Sequence, residues 1–297
     1  MNKLRLLPGI MRAPFLALTP ACVLMGVGTA VWTGGRFDWA KVILLLVGAT
    51  CAHISVNAFN EYFDFKSGLD SHTRRTPFSG GSGSLPARPE AAGLALGTAW
   101  VAFTITAVTG LYFVSLRGPA ILPLGLLGLF LLYAYTPWLT RNPWLCLLAP
   151  GLGFGPLMVL SVHFALTGAY SWTAFVAALV PFFLVSDLLL LNQFPDVEAD
   201  RSVGRRHFPI LIGRKASSMI YGAFLAAAYL SIILGVFFRL LPPFSLLGLL
   251  GLTIAIPAGV KAFRDCEDGP RLIPALGLNV LLNLATPLLV GIGLFIK

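Results

Sequence analysis

Two short stretches hold most of the residues able to do chemistry in this 297-residue chain. The first reads Asn57-Ala-Phe-Asn60-Glu61-Tyr-Phe-Asp64-Phe-Lys66-Ser-Gly-Leu-Asp70. On a continuing helix, Asn57, Asn60, Glu61 and Asp64 fall at i, i+3, i+4 and i+7, which is one face. The Lys-Ser-Gly step predicts a break that lets Asp70 swing back. The second stretch reads Asn192-Gln-Phe-Pro195-Asp196-Val-Glu198-Ala-Asp200, with Asn192, Asp196 and Asp200 again four apart. Pro195 predicts a kink between them. Two carboxylate clusters brought to one surface repel unless a cation lies between them. Mg²⁺ fits, being hard, oxygen-seeking and content with a few carboxylates plus substrate phosphates. Basic residues trail each motif: Lys66, Arg74 and Arg75 after the first, and Arg201, Arg205, Arg206, Arg214 and Lys215 after the second. Guanidinium forks suit phosphate oxygens. The chemistry implied is that of a diphosphate held against metal.

The elements that must position these motifs are membrane helices. Apolar residues are 57% of the chain and charged ones only 11%, against about 25% charged in a soluble domain. The apolar runs are continuous, which excludes the alternating strands of a membrane barrel. Cys22, Cys51, Cys146 and Cys266 are scattered, so neither a disulfide nor a zinc framework is implied. Nine apolar runs predict an all-α, polytopic bundle forming a single domain over 1–297. They lie near 13–33, 39–60, 91–116, 119–137, 143–167, 172–192, 216–238, 243–264 and 273–296. The first run is longer than a signal core and has no A-x-A site after it, so it reads as a retained helix.

Long connections follow only the second and sixth helices, and the even spacing puts both on one side. Of the 21 Lys and Arg, only Arg36, Lys41, Arg117, Arg239 and Lys297 fall on the other side. The positive-inside rule therefore predicts a cytoplasmic N-terminus and a cytoplasmic site in a cell's inner membrane. The net charge of +9 thus reads as a topology signal, not as a nucleic-acid surface. All Asp and Glu except Asp38 and Asp187 share that basic side, which orientation does not require.

With these motifs, the chain resembles the UbiA family of membrane-embedded aromatic prenyltransferases over nearly its whole length. Asn60-x-x-x-Asp64-x-x-x-x-x-Asp70 is similar to the family's first motif. The stretch from Asn192 to Arg201, with Gly204-Arg205-Arg206 and Gly213-Arg214-Lys215, is similar to its second. Tyr133-Ala-Tyr135-Thr-Pro137 and the run from Gly153 through Pro156 resemble the 1,4-dihydroxy-2-naphthoate branch of menaquinone synthesis. That branch often carries a Gly-Glu pair where this chain reads Trp144 to Pro150 without Glu, which leaves the acceptor open. The resemblance implies transfer of a chain from a polyprenyl diphosphate to an aromatic acceptor, with Asp64, Asp196, Asn60 and Asn192 central. It also implies that Asn60, Asp64, Asp70, Asn192, Asp196 and Asp200 hold Mg²⁺, and that the apolar tail lies between helices, open to lipid. Lys66, Arg74 and Arg206 are the first candidates for phosphate contact, with Arg205 and Arg141 next. Alternative acceptors are 4-hydroxybenzoate, homogentisate, a porphyrin or a glycerol lipid.

A secondary transporter is the rival from another class, although its acids belong near the bilayer midplane. Phe59, Phe63, Tyr133 and Tyr135 are candidates to face an allylic cation, or to form an interfacial belt. His53 and His163 read as core histidines, and Asp187 as an intramembrane acid near the same polar cavity. The run Gly80 to Ser84 reads equally as an amide nest for phosphate or as a linker. Gly93-x-x-x-Gly97 predicts close helix packing. Asp265, Glu267 and Asp268 predict a solvated cap.

Overall fold

The computed structural model describes residues 3–73 and 75–296, and Arg74 lies outside them. Eight helices are long and apolar enough to cross a membrane: α1 (Ala13–Trp32), α2 (Trp39–Lys66), α3 (Pro89–Arg117), α5 (Pro143–Thr167), α6 (Trp172–Asn192), α7 (Gly213–Phe237), α8 (Pro243–Arg264) and α9 (Gly269–Gly293). The remaining predicted run, near 119–137, forms the shorter apolar helix α4 (Pro119–Ala134). No strand occurs among the described residues. The chain is a multi-span membrane protein.

Local sequence explains where the helices start. Asp38, Asn142, Ser171 and Asp268 each turn a side-chain oxygen onto the first free amides of α2, α5, α6 and α9. The cap predicted around Asp268 is therefore present, and Asp265 pairs with Arg264 at 2.8 Å. Helices α1 and α6 are the most buried of the spans and α3 the least. Helix α1 packs against α2, α5, α6 and α9, while α7 and α8 close the ring beside α6 and α9.

Glycine decides one of these contacts and is absent from another. A Cβ on Gly151 would meet the Phe182 carbonyl at 2.1 Å, and one on Gly155 would meet that of Ala178 at 2.5 Å. Helix α5 thus lies directly on the backbone of α6. By contrast, a Cβ on Gly93 or Gly97 would meet nothing within 4 Å, so the predicted close packing at Gly93-x-x-x-Gly97 is corrected. The adjacent stripe Ala91, Ala95 and Ala99 is the one buried, and the Ser55 hydroxyl donates to the Ala99 carbonyl at 3.0 Å. Spacing alone could not say which small-residue stripe faced protein.

Helix α5 also changes character midway. Pro150 and Pro156 each remove an amide donor, and residues Gly153–Leu157 adopt a wider π-helical turn. That turn borders the cavity described next.

Candidate active site

Helix α2 continues to Lys66, past the boundary near 60 expected from hydropathy, so Asn57, Asn60 and Asp64 do share a face. Gly68 then takes a left-handed φ of 79°, and a short turn, Leu69–His72, folds Leu69 and Asp70 inward. Asp70 swings back as its sequence predicts. Helix α6 ends at Asn192, with the amides of Gln193 and Phe194 bonding three residues back. Pro195 cannot extend that ladder, and Asp200 sits on a separate short helix, Val197–Ser202. The Asn192, Asp196 and Asp200 side chains nevertheless converge, because the break re-aims the chain over the end of α2.

Both motifs line one end of a cavity of about 810 Å³. Arg205 connects them, donating to Asp64 Oδ1 and, at 2.9 Å, to Asp200 Oδ1. His207 Nε2 bonds the other Asp200 oxygen at 2.9 Å. Asn60 Nδ2 donates to Asp64 Oδ2 at 3.0 Å and to Thr136 Oγ1 at 3.1 Å. Within the two motifs, three buried oxygens have no partner among the described residues: Asp70 Oδ2, Asn192 Oδ1 and Asp196 Oδ1. Leaving such atoms bare costs about 1–3 kcal/mol each, so they are places where a ligand gains most.

The electrostatics follow from burial and crowding. Asp70 is pushed up to about 7 by burial and then by the charges of Asp64 and Glu61. Asp196 is pushed up to about 7 by burial and by Asp200. Burial also opposes ionised Asp200, but the His207 hydrogen bond and the Arg205 charge outweigh it and hold this carboxyl below its usual range. Burial would lower Arg205, but Asp64 and Asp200 together raise it and keep it charged. One arginine thus compensates two carboxylates, and two more remain that resist ionisation.

Glu61 belongs to the first motif in sequence but not to this cluster. Fully buried, it accepts from Arg12 Nε at 2.9 Å, the Ser82 amide at 2.8 Å and the Ser82 hydroxyl at 2.8 Å. The Gly80–Ser84 run is therefore a clamped loop. Its Ser82 amide is taken, so that group is not free for phosphate. Gly81, at φ +73°, runs so close to Asp70 that a Cβ would meet Oδ1 at 2.9 Å. Only glycine permits that approach.

Of the predicted phosphate-binding residues, Arg205 lines the cavity, whereas Lys66, Arg206 and Arg141 are exposed and lie outside its wall. Lys66 instead lies 5.8 Å from the Tyr62 ring centre. Arg12 and Arg75 line the cavity. Arg12 and His207 escaped the sequence reading because neither sits inside an acidic motif. Of the four aromatic candidates only Tyr135 lines the cavity; Phe59, Phe63 and Tyr133 pack on one another, with Phe59 and Tyr133 5.4 Å apart. Asp187 is buried with both oxygens unpartnered but does not line the cavity.

Away from the charged end, the cavity is mostly apolar. Leu111 of α3 and Leu126 of α4 border it yet are 62% and 63% exposed, so this wall opens sideways toward lipid.

A helical membrane bundle with paired Asn/Asp motifs at the charged end of a laterally open apolar cavity is built for a substrate that carries a charged head group on a long apolar chain. The chain belongs to the UbiA prenyltransferase family, whose model matches residues 20–293, and it is a prenyltransferase. It is 26% identical over 265 residues to the 1,4-dihydroxy-2-naphthoate octaprenyltransferase of Bacillus subtilis (strain 168), covering 88% of this chain and 83% of that protein. Among solved structures it is similar to the apo form of a UbiA homolog from Aeropyrum pernix K1, with TM-score 0.69, 19% identity and coverage of 95% and 97%. It is also similar to a UbiA homolog from Archaeoglobus fulgidus bound to DMAPP and Mg²⁺, with TM-score 0.62, 16% identity and coverage of 99% of both chains.

Proposed function

We propose that this protein transfers a polyprenyl chain from its diphosphate to 1,4-dihydroxy-2-naphthoate, using Mg²⁺, at the cytoplasmic face of a bacterial-type inner membrane. One observation carries the reading. Buried oxygens of Asp70, Asn192 and Asp196 stand unpartnered, with Arg205 between Asp64 and Asp200, at the charged end of an apolar cavity.

The donor set fits Mg²⁺. The free atoms of the two motifs are hard oxygens, with one ring nitrogen, His207 Nδ1, also unpartnered on the cavity wall, and among the described residues no three His, Cys, Asp or Glu side chains close on a metal by themselves. That is the pattern expected of an ion that takes part of its shell from water and phosphate. Asn60, Asp64, Asp70, Asn192, Asp196 and Asp200 would hold it. When bound, the metal neutralises charge that builds on the leaving diphosphate as the allylic C–O bond breaks.

The remaining work falls to side chains of this chain. Arg205, Arg12 and Arg75 line the cavity and place positive charge beside the departing oxygens. Tyr135 lines the cavity, and its ring would face the carbon that becomes electron-poor. The apolar body of the cavity excludes water, which would otherwise capture that carbon in place of the acceptor ring. The opening past Leu111 and Leu126 lets a long tail lie in lipid, so one cavity accepts chains of different length. The naphthoate acceptor rests on the Bacillus relative's activity, and the cytoplasmic orientation on the sidedness of Lys and Arg.

The test is incubation of purified protein with a polyprenyl diphosphate, Mg²⁺ and a panel of acceptors comprising 1,4-dihydroxy-2-naphthoate, 4-hydroxybenzoate and homogentisate, followed by product mass. Prenylated naphthoate is expected. Alkylation of another acceptor alone overturns the acceptor assignment. Solute movement across proteoliposomes with no alkylation overturns the enzyme reading in favour of transport.

A further inference from the structure

The cavity has a second wall, built from helices other than α3 and α4 of the lipid opening. Leu18 of α1, Phe154 and Met158 of α5, Val185 and Leu189 of α6 and Leu284 of α9 form one apolar cluster there. Helices α1 and α6 are the most enclosed of the bundle, so this wall suits a rigid ring better than a long flexible chain. One polar ring stands beside it. His53 of α2 lies at i, with Asn57, Asn60 and Asp64 at i+4, i+7 and i+11, so all four share the stripe that lines the cavity. Seven residues put His53 about 10 Å below Asn60 along the helix axis.

The imidazole is held in one orientation. His53 is 6% exposed, its Nδ1 lies 2.9 Å from Thr19 Oγ1, and its ring stands edge-on to Phe154 at 4.7 Å. Thr19 is fully buried, and its hydroxyl makes no other hydrogen bond among the described residues. A buried hydroxyl proton needs an acceptor, so Thr19 donates to Nδ1 and the ring proton resides on Nε2. That Nε2–H has no protein partner among the described residues. A second Thr–His link provides the contrast. Thr29 already donates to the Gly26 carbonyl at 2.8 Å, so His163 Nδ1–H must donate to Thr29 across 3.0 Å. His163 does not line this cavity.

We propose that His53 binds the aromatic acceptor: Nε2–H donates to a ring hydroxyl oxygen while the ring lies against Phe154, Met158 and Leu189. The prenyl tail then occupies the α3–α4 wall, and the acceptor approaches the diphosphate end from the enclosed side. This assignment rests on the prenyl-transfer reading above and deepens it by naming a specificity residue.

The test uses the full-length protein in nanodiscs with Mg²⁺ and a polyprenyl diphosphate, and compares His53→Phe with His163→Phe. Both variants lose a Thr–His link between helices; only the first loses a donor in the cavity. His53→Phe is expected to raise the acceptor KM about tenfold, the worth of one hydrogen bond, and to leave the diphosphate KM within about twofold. His163→Phe is expected to change neither. His53→Gln, which restores a donor, recovers part of the loss. A naphthoate lacking one ring hydroxyl loses the same factor with the unmodified protein and nothing more with His53→Phe. Equal acceptor KM in the two Phe variants, or a loss seen only in diphosphate KM, overturns the proposal. Should His53→Phe fail to bind prenyl diphosphate, Thr19→Val decides. It keeps the imidazole but frees its tautomer, and an unchanged acceptor KM there also overturns the proposal. If the unmodified protein alkylates no aromatic acceptor, the prenyl-transfer reading falls, and this assignment with it.

Discussion

Arg205→Gln separates the two jobs of the residue that bridges the motifs. Its guanidinium, 17% exposed, is shared by Asp64 and Asp200. Removing it leaves two buried carboxylates facing one another with His207 as the remaining partner of Asp200. Breaking a buried pair from one side costs about 3–5 kcal/mol. For a chain of this size that is roughly 5–10 °C of Tm. Mg²⁺ brings its own positive charge to the same carboxylates, so the loss should shrink as metal is added. At a hundredfold excess over Kd a ligand stabilises by about 2.7 kcal/mol, and the variant, with no competing cation, should gain more than the parent does. The assay is thermal unfolding of purified protein in detergent, with EDTA and across a Mg²⁺ titration, beside direct measurement of Mg²⁺ affinity. The variant should melt lower in EDTA, bind Mg²⁺ more tightly without substrate, and bind prenyl diphosphate more weakly. A Tm in EDTA within about 1 °C of the parent, or an equal Mg²⁺ increment in both proteins, would refute the reasoning.

Four further outcomes follow from the structure. Asp70 and Asp196 have folded pKa values of about 7, raised above the unfolded value, so metal-free stability falls as pH rises toward 7. Mg²⁺ requires the ionised forms, so its affinity should drop by up to about tenfold per carboxylate per pH unit below 7; a flat profile between pH 5.5 and 7.5, by calorimetry, would count against both groups as ligands. Asp196→Asn should accordingly leave the metal-free protein as stable or more so while abolishing Mg²⁺-dependent transfer. Glu61→Gln loses the charge that clamps Ser82 and should loosen that loop by about 2 kcal/mol, read as faster proteolysis at residues 76–83, with Mg²⁺ affinity retained or raised because one of the charges opposing ionised Asp70 is gone. Gly151→Ala forces a methyl onto the Phe182 carbonyl and should cost about 1–3 kcal/mol, measured as a lower Tm.

Much of the fold was legible in composition and hydropathy, because lipid demands long, continuous apolar helices whose backbone bonds are satisfied internally. All nine predicted runs correspond to apolar helices of the structure. Boundaries were less legible at α2, where the last turn is polar yet helical: Asn60, Glu61 and Asp64 are stabilised by partners from other segments, which no local scale includes. The Gly93-x-x-x-Gly97 stripe misled because its spacing does not say which face meets protein and which meets lipid.

The sequence by itself determined the ingredients of the site: two Asn/Asp motifs at the ends of helices separated by an even number of crossings, which puts them at one membrane surface. Only the tertiary structure decided the partners. Glu61 and Asp64 lie three residues apart, yet one clamps a loop through Arg12 and Ser82 while the other meets Arg205 from 141 residues away. Lys66 and Arg206 follow the motifs as closely as Arg205 does but stay exposed. Sequence spacing sets which residues share a helix face. Which face is turned to the cavity depends on how α2, α6 and the loops between them pack, and that packing is a long-range property of the whole bundle.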